Sequence, residues 1–144
     1  MQRVQKEMRS AQHLLYVSLK YTKTCDVMLN LINRWKNTID FCIELLLNKL
    51  KKKKIIKAIP VAPRQKVDLL LKVFKKEDIA KEALILYSFF RVVPSAKLIK
   101  EHEFRKNVCL KVINTEEVSI DLEKLHEWED LLERFINFVR VFTS

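Results

Sequence analysis

Not one of the 144 residues is glycine, and proline occurs only at Pro60, Pro63 and Pro94. Glycine adopts positive φ without steric cost. Its absence argues against glycine-built phosphate loops, against the dinucleotide-binding strand–turn–helix unit, and against the two-residue turns of meandering β proteins. Cysteine is scarce as well. Cys25, Cys42 and Cys109 are widely spaced, each among apolar neighbours, which suits reduced, buried thiols better than a disulfide framework. None of them stands at ligand spacing from another cysteine or from His13, His102 or His126, so neither a metal nor a cofactor is expected. Nothing approaches the roughly 20 uncharged apolar residues of a membrane span, and the opening MQRVQKEMRSAQHLLYV lacks the unbroken apolar stretch of a secretory signal. A cytoplasmic location without a membrane span is the expectation.

What the chain does contain is helical periodicity. With 49% hydrophobic and 32% charged residues it has the composition of a folded protein, and its length fits one domain over residues 1–144. No proline or glycine interrupts residues 1–59, where Val4, Met8, Ala11, Leu15, Leu19, Thr22, Cys25, Met28, Ile32, Trp35, Ile39, Cys42, Leu46 and Leu50 follow one another at steps of three or four. A single rod over the first 50 residues would measure about 75 Å, too long for a compact domain, so two helices are expected with Thr24 or Asp26 as the second N-cap. Pro60 and Pro63 place a loop in residues 50–66, and a short helix through Val67, Leu70, Leu71 and Phe74 follows. A helix capped by Asp78 comes next. It is apolar nearly all round from Ala83 to Phe90, as the most buried helix of a bundle would be. After Pro94 the spacing predicts a helix over 96–112, then an extended connection over 113–119. The last helix is announced by Asp121 between Ile120 and Leu125, a capping residue flanked by a hydrophobic staple, and carries the core stripe Leu122, Leu125, Trp128, Leu132, Phe135, Val139 and Phe142. The expected fold class is all-α, a compact helical bundle of about five or six helices.

Charge is distributed unevenly. Residues 49–76 hold eleven Lys or Arg against the single acid Asp68, which equals the whole formal charge of +10, whereas residues 115–144 hold eight acids against three bases. Lys51, Lys52, Lys53, Lys54, Lys57, Arg64 and Lys66 are the candidate residues for binding RNA or another polyanion through its phosphates. One arginine and few aromatics in this segment speak for backbone contacts over base readout. The plainer account is that lysines complement a helix C-terminus. A membrane-surface role for Leu45, Leu46 and Leu47 with the lysine run is the weaker reading, because these leucines fit the core pattern.

The stretch KEHEFRKNVCL, residues 100–110, sits inside the helix expected over 96–112. On a helix, Glu101 and Arg105 would form an i,i+4 ion pair, and His102 would share a face with Arg105, the geometry for a general base beside a guanidinium; His102, Arg105 and Asn107 are the candidate cleft residues. The layout and the EFRKNV segment before a closing helix resemble the HEPN families, helical bundles in which a late helix carries an arginine followed, typically five residues on, by histidine. Here Arg105 is present and Leu110 stands in the histidine's place. The resemblance therefore implies a non-catalytic member, of the kind that binds RNA or nucleotides or accompanies a nucleotidyltransferase. No catalytic residue and no enzyme activity are expected. A protein partner and a homodimer complete the expected associations. Two other functions follow from the same residues: a structural helical subunit of a larger assembly, and a divergent metal-independent ribonuclease using Arg105 and His102.

Overall fold

Thr24 caps the longest helix of the chain. Its hydroxyl accepts a hydrogen bond from the Val27 N–H at 3.4 Å, satisfying one of the free donors at the start of a helix that then runs without a break for 28 residues. The computed structural model describes every residue from Met1 to Ser144. Helix α1 (Gln2–His13) continues through a π-helical stretch (Leu14–Ser18) and one last turn (Leu19–Tyr21), and is followed by α2 (Cys25–Lys52), α3 (Pro63–Val73) and α4 (Asp78–Val92). A 3₁₀ turn (Val93–Ser95) leads into strands β1 (Lys97–Glu101), β2 (Cys109–Ile113) and β3 (Glu117–Ile120), and α5 (Leu122–Thr143) closes the chain.

Helix α2 forms the spine. Every residue of the N-terminal periodic stripe except Thr22 is buried along α1 and α2, so the three- and four-residue steps translate directly into a continuous core. α1 packs antiparallel to α2, with Arg3 against Glu44 at 3.5 Å near one end and Glu7 against Arg34 at 3.4 Å further along. α4 also runs antiparallel to α2: Trp35 stacks on Phe90, and the Tyr87 hydroxyl donates to Asp40. α5 meets α4 through Trp128 on Phe89 and Phe90, and meets α1 where Tyr16 donates to Glu129. The C-termini of α2 and α5 thus lie at the same end of the bundle. α3 lies alongside, with Pro63 at its first position and Phe74 edge-on to Phe138 and Phe142 of α5.

The sheet closes the opposite end. It is antiparallel in the order β1-β2-β3, with Leu98 opposite Val112, Val112 opposite Val118 and Leu110 opposite Ile120 along the face that packs inward. The molecule is mostly helical, with five helices, yet it is not all-α as the sequence pattern implied. The helix expected over 96–112 is instead the hairpin of β1 and β2, and the extended connection after it supplies β3. Leu98, Leu110 and Val112 alternate inward at period two, which the three- and four-residue reading of the segment overlooked. Three further expectations shift. Trp128 is only partly buried while Trp35 is fully so; Ile85 of the apolar α4 stretch is 66% exposed; and the α4 cap is Glu77, with Asp78 already inside the helix.

Because glycine is missing, the chain makes its left-handed turns with other residues. Lys54, His102 and Phe104 have φ of 60°, 53° and 67°. Lys54 occupies the position after the α2 C-cap where glycine is preferred: its N–H reaches the Lys51 carbonyl, and the Ile55 N–H reaches the Leu50 carbonyl, both at 3.0 Å, the paired bonds of a Schellman motif. A side chain in this conformation costs about 1–2 kcal/mol, partly offset by the entropy glycine would lose on folding. Lys54→Gly is expected to stabilise the fold by up to about 1 kcal/mol, read as a raised thermal or urea midpoint. A lowered midpoint would contradict this account of the turn.

Two tyrosine–carboxylate contacts, one at the half-exposed Tyr16 and one at the buried Tyr87, carry a pH dependence. Hydrogen bonding to Glu129, then burial, pushes the Tyr16 phenol up to about 12, and burial with its bond to Asp40 raises Tyr87 as well. Both phenols keep their protons in the folded state after the unfolded chain, titrating near pH 10, has released them. Their contribution is full below about pH 10 and is lost as pH rises through the folded values. Urea midpoints should therefore fall across this alkaline range, and the fall should be shallower in Tyr16→Phe and Tyr87→Phe. Unchanged slopes in both variants would assign the loss to other groups.

Candidate functional site

The lysine segment gathers at the end of the bundle where α2, α3 and α5 terminate. Lys51 and Lys52 occupy the last turn of α2, Lys53 is its C-cap and Lys54 the residue beyond, all exposed. Lys53 Nζ lies 4.6 Å from the centre of the Phe142 ring, and Phe142 in turn packs against Phe74, so the run 51–54, the end of α3 and the end of α5 meet at one place. Lys75 and Lys76, exposed directly after Phe74, join them; the charge count includes both, but helical spacing alone gave no reason to group them with 51–54. Lys57 is exposed in the loop between α2 and α3. Arg64 and Lys66 are placed differently. They lie in the first turn of α3, about 12 to 15 Å of helix away from Phe74. Arg64 there lines a shallow groove with Asp68, Ser88 and Arg91.

None of the eleven cations of residues 49–76 has a carboxylate within ion-pair distance. All seven ion pairs of the molecule use other residues. The loop beside the lysine run also exposes apolar groups, with Ile55 55% and Val61 92% accessible while Ile56 is buried. The leucines that precede it belong to the core, Leu46 and Leu47 being buried and Leu45 partly so.

His102, Arg105 and Asn107 lie at the other end of the molecule, exposed on the turn joining β1 to β2. Arg105 therefore does not stand on a helix, and the spacing that would have set it four residues from Glu101 and three from His102 on one helical face is not realised. The turn is held by backbone bonds from the Arg105 N–H to the His102 carbonyl and from the Val108 N–H to the Arg105 carbonyl. Its charged neighbours are absorbed into the fold. Lys100 pairs with Asp26 at 2.8 Å, Glu101 pairs with Lys111 at 3.0 Å, and Glu103 accepts a 3.0 Å hydrogen bond from the Cys25 N–H at the start of α2. The Phe104 N–H donates to the Lys23 carbonyl in the link before that helix. This stretch is the clasp between the sheet and the spine.

The thiols are quiet. Burial pushes Cys42 up to about 12, and burial with the nearby Glu103 carboxylate pushes Cys25 up to about 11, both away from the thiolate a nucleophile or metal ligand needs. Cys109 is half-buried on β2. No group of three His, Cys, Asp or Glu side chains could hold a metal ion. No helix is long and apolar enough to cross a membrane.

Comparison with protein families, with curated proteins and with solved structures returned no match to this chain.

Glu103 acts as a capping carboxylate supplied from outside the helix it caps. Its loss removes a charge-assisted bond at a helix N-terminus, so Glu103→Ala is expected to lower stability by about 1 kcal/mol, measured by urea unfolding. An unchanged midpoint would mean that water replaces the carboxylate at no cost.

Proposed function

We propose that this chain is a small non-catalytic accessory protein that binds the phosphate backbone of RNA through the lysine end of its bundle. The observation that carries the reading is the unpaired state of all eleven cations in residues 49–76. Helix-dipole compensation accounts for part of them, since that effect fades beyond the last turn. It offers no reason for Lys57, Arg64 or Lys66, and a concentration of like charge works against the compact state unless a polyanion relieves it. Lysine is a flexible point charge, so the contact is backbone-directed and tolerant of sequence. This is the accessory role that the HEPN resemblance implied, with the binding carried by the lysine end and Arg105 left outside it.

A second reading follows from Ile55 and Val61. Exposed apolar side chains beside a lysine cluster are what a protein resting on an anionic lipid surface presents. One comparison separates the two. Replacing Lys51, Lys52, Lys53 and Lys54 with glutamine should weaken binding to unrelated single-stranded RNAs about equally and flatten the salt dependence, by roughly 0.7 in log–log slope for each phosphate that is no longer neutralised. Binding to phosphatidylserine vesicles that is abolished in Ile55→Ser with Val61→Ser, without RNA binding, would establish the lipid reading instead. If neither RNA nor vesicles are retained at low salt, the lysines only complement the helix ends, and the role of structural subunit in a larger assembly takes precedence.

A further inference from the structure

Strand β1 has a neighbour on one side only, and its sequence is complementary to itself. It is the outer strand of the order β1-β2-β3, so the backbone along its far edge is without a strand partner. Its five residues are Lys97, Leu98, Ile99, Lys100 and Glu101. If a second copy lies antiparallel to it about a two-fold axis through Ile99, then Ile99 faces Ile99 of the partner subunit, Lys97 faces Glu101 of the partner subunit, and Glu101 faces Lys97 of the partner subunit. Successive side chains alternate between faces, so these three pairs all stand on the outer surface of the sheet. One apolar pair is flanked by two pairs of opposite charge, each a favourable cross-strand neighbour. Shifting the axis by one residue toward Lys100 sets Lys100 against itself, and shifting it by half a residue toward Leu98 sets Lys97 against Lys100. A parallel, in-register pairing puts every charge beside its own kind. Among these arrangements only the antiparallel one centred on Ile99 pairs both end charges with opposite charges.

We infer that two copies of this chain join edge to edge through β1, the two three-stranded sheets forming one of six strands. Edge lysines ordinarily keep such strands apart. Here Lys100 is already neutralised by Asp26 of its own chain, and Lys97, exposed and without an ion-pair partner, is the charge that the second copy completes. Glu101 is held in place by Lys111 from the neighbouring strand. Ile99, 36% exposed, meets an apolar surface that the single chain does not offer it. A groove of about 580 Å³, lined by Ile32, Phe90 and Val93 together with Asn33, Lys36 and Arg91, is bordered on the sheet side by Leu98 of β1. The lysine ends do not oppose the association: the sheet meets the start of α2, and the lysines lie at its far end, roughly 42 Å along the helix.

A five-residue pairing is smaller than a standard interface, so association in the micromolar range is expected. Sedimentation measured across that range, without RNA, tests it independently of the polyanion reading. The wild-type chain should pass from monomer to dimer. Lys97→Glu alone and Glu101→Lys alone each create two like-charge pairs and should weaken the dimer about tenfold or more, while the double reversal, Lys97→Glu with Glu101→Lys, should associate more tightly than either single variant but short of wild type, because residue 101 then repels Lys111. The exposed Lys97 side chain forms no ion pair within its own chain, so its reversal leaves the fold intact, and circular dichroism verifies this. A chain that is monomeric at every concentration, or a dimer indifferent to the single reversals, overturns the assignment.

Discussion

The length of α2 is the constraint that the other elements answer to. A helix of 28 residues leaves free N–H groups at one end, free carbonyls at the other, and an apolar face along its whole side. α1 and α4 cover that face antiparallel, and α5 completes the enclosure. At the N-terminus the donors are met by Thr24 from the link and by Glu103 from the hairpin turn, so the sheet is fastened to the spine where the spine needs acceptors. At the C-terminus the carbonyls of Leu50 and Lys51 are met by a backbone turn at Lys54, and the negative end of the dipole is left to lysines. The two ends of one helix therefore set the two chemically distinct ends of the molecule.

Much of this was legible in the residues. Steps of three and four without proline or glycine are produced only by helices that keep one face covered, which is why thirteen of the fourteen stripe residues over Val4 to Leu50 are buried. Caps were readable for the same reason: Thr24 and Asp121 stand where a side-chain oxygen can reach a free N–H two or three residues on, and both do so, Asp121 by accepting from the Lys124 N–H at 2.8 Å. Trp128 shows the limit. Spacing says which side of a helix a residue faces but not how far along its length the neighbouring helices cover it.

The hairpin was hidden by a sound rule applied too widely. Lack of glycine disfavours two-residue turns, and the connection between β1 and β2 spans residues 102–108, long enough to avoid them. It still visits positive φ twice, at His102 and Phe104. Histidine is among the residues that tolerate that region, whereas phenylalanine is held there by the bond from its N–H to the Lys23 carbonyl. The charged stretch 100–106 suggested chemistry because acid, histidine and base stood close together. On a strand and a turn the same spacing sends neighbouring side chains to opposite faces, and the acids reach a helix terminus and a cross-strand lysine that no local pattern could have shown.

The asymmetry between the two ends bears on where function resides. Near the hairpin, Lys100 and Glu103 reach the start of α2 and Glu101 pairs with Lys111 across the sheet, so these charges hold the hairpin in place, while Lys97, Arg105 and Lys106 form no ion pair. At the lysine end Lys51, Lys52, Lys53, Lys54, Lys75 and Lys76 have no ion-pair partner, and the loop that follows Lys54 exposes Val61 almost fully to solvent. Sequences generally agree with their folds at every level, and the places where they do not are where binding or catalysis has been given priority. The proposed binding of an RNA backbone draws on the lysine end, whose positive sign suits an anion.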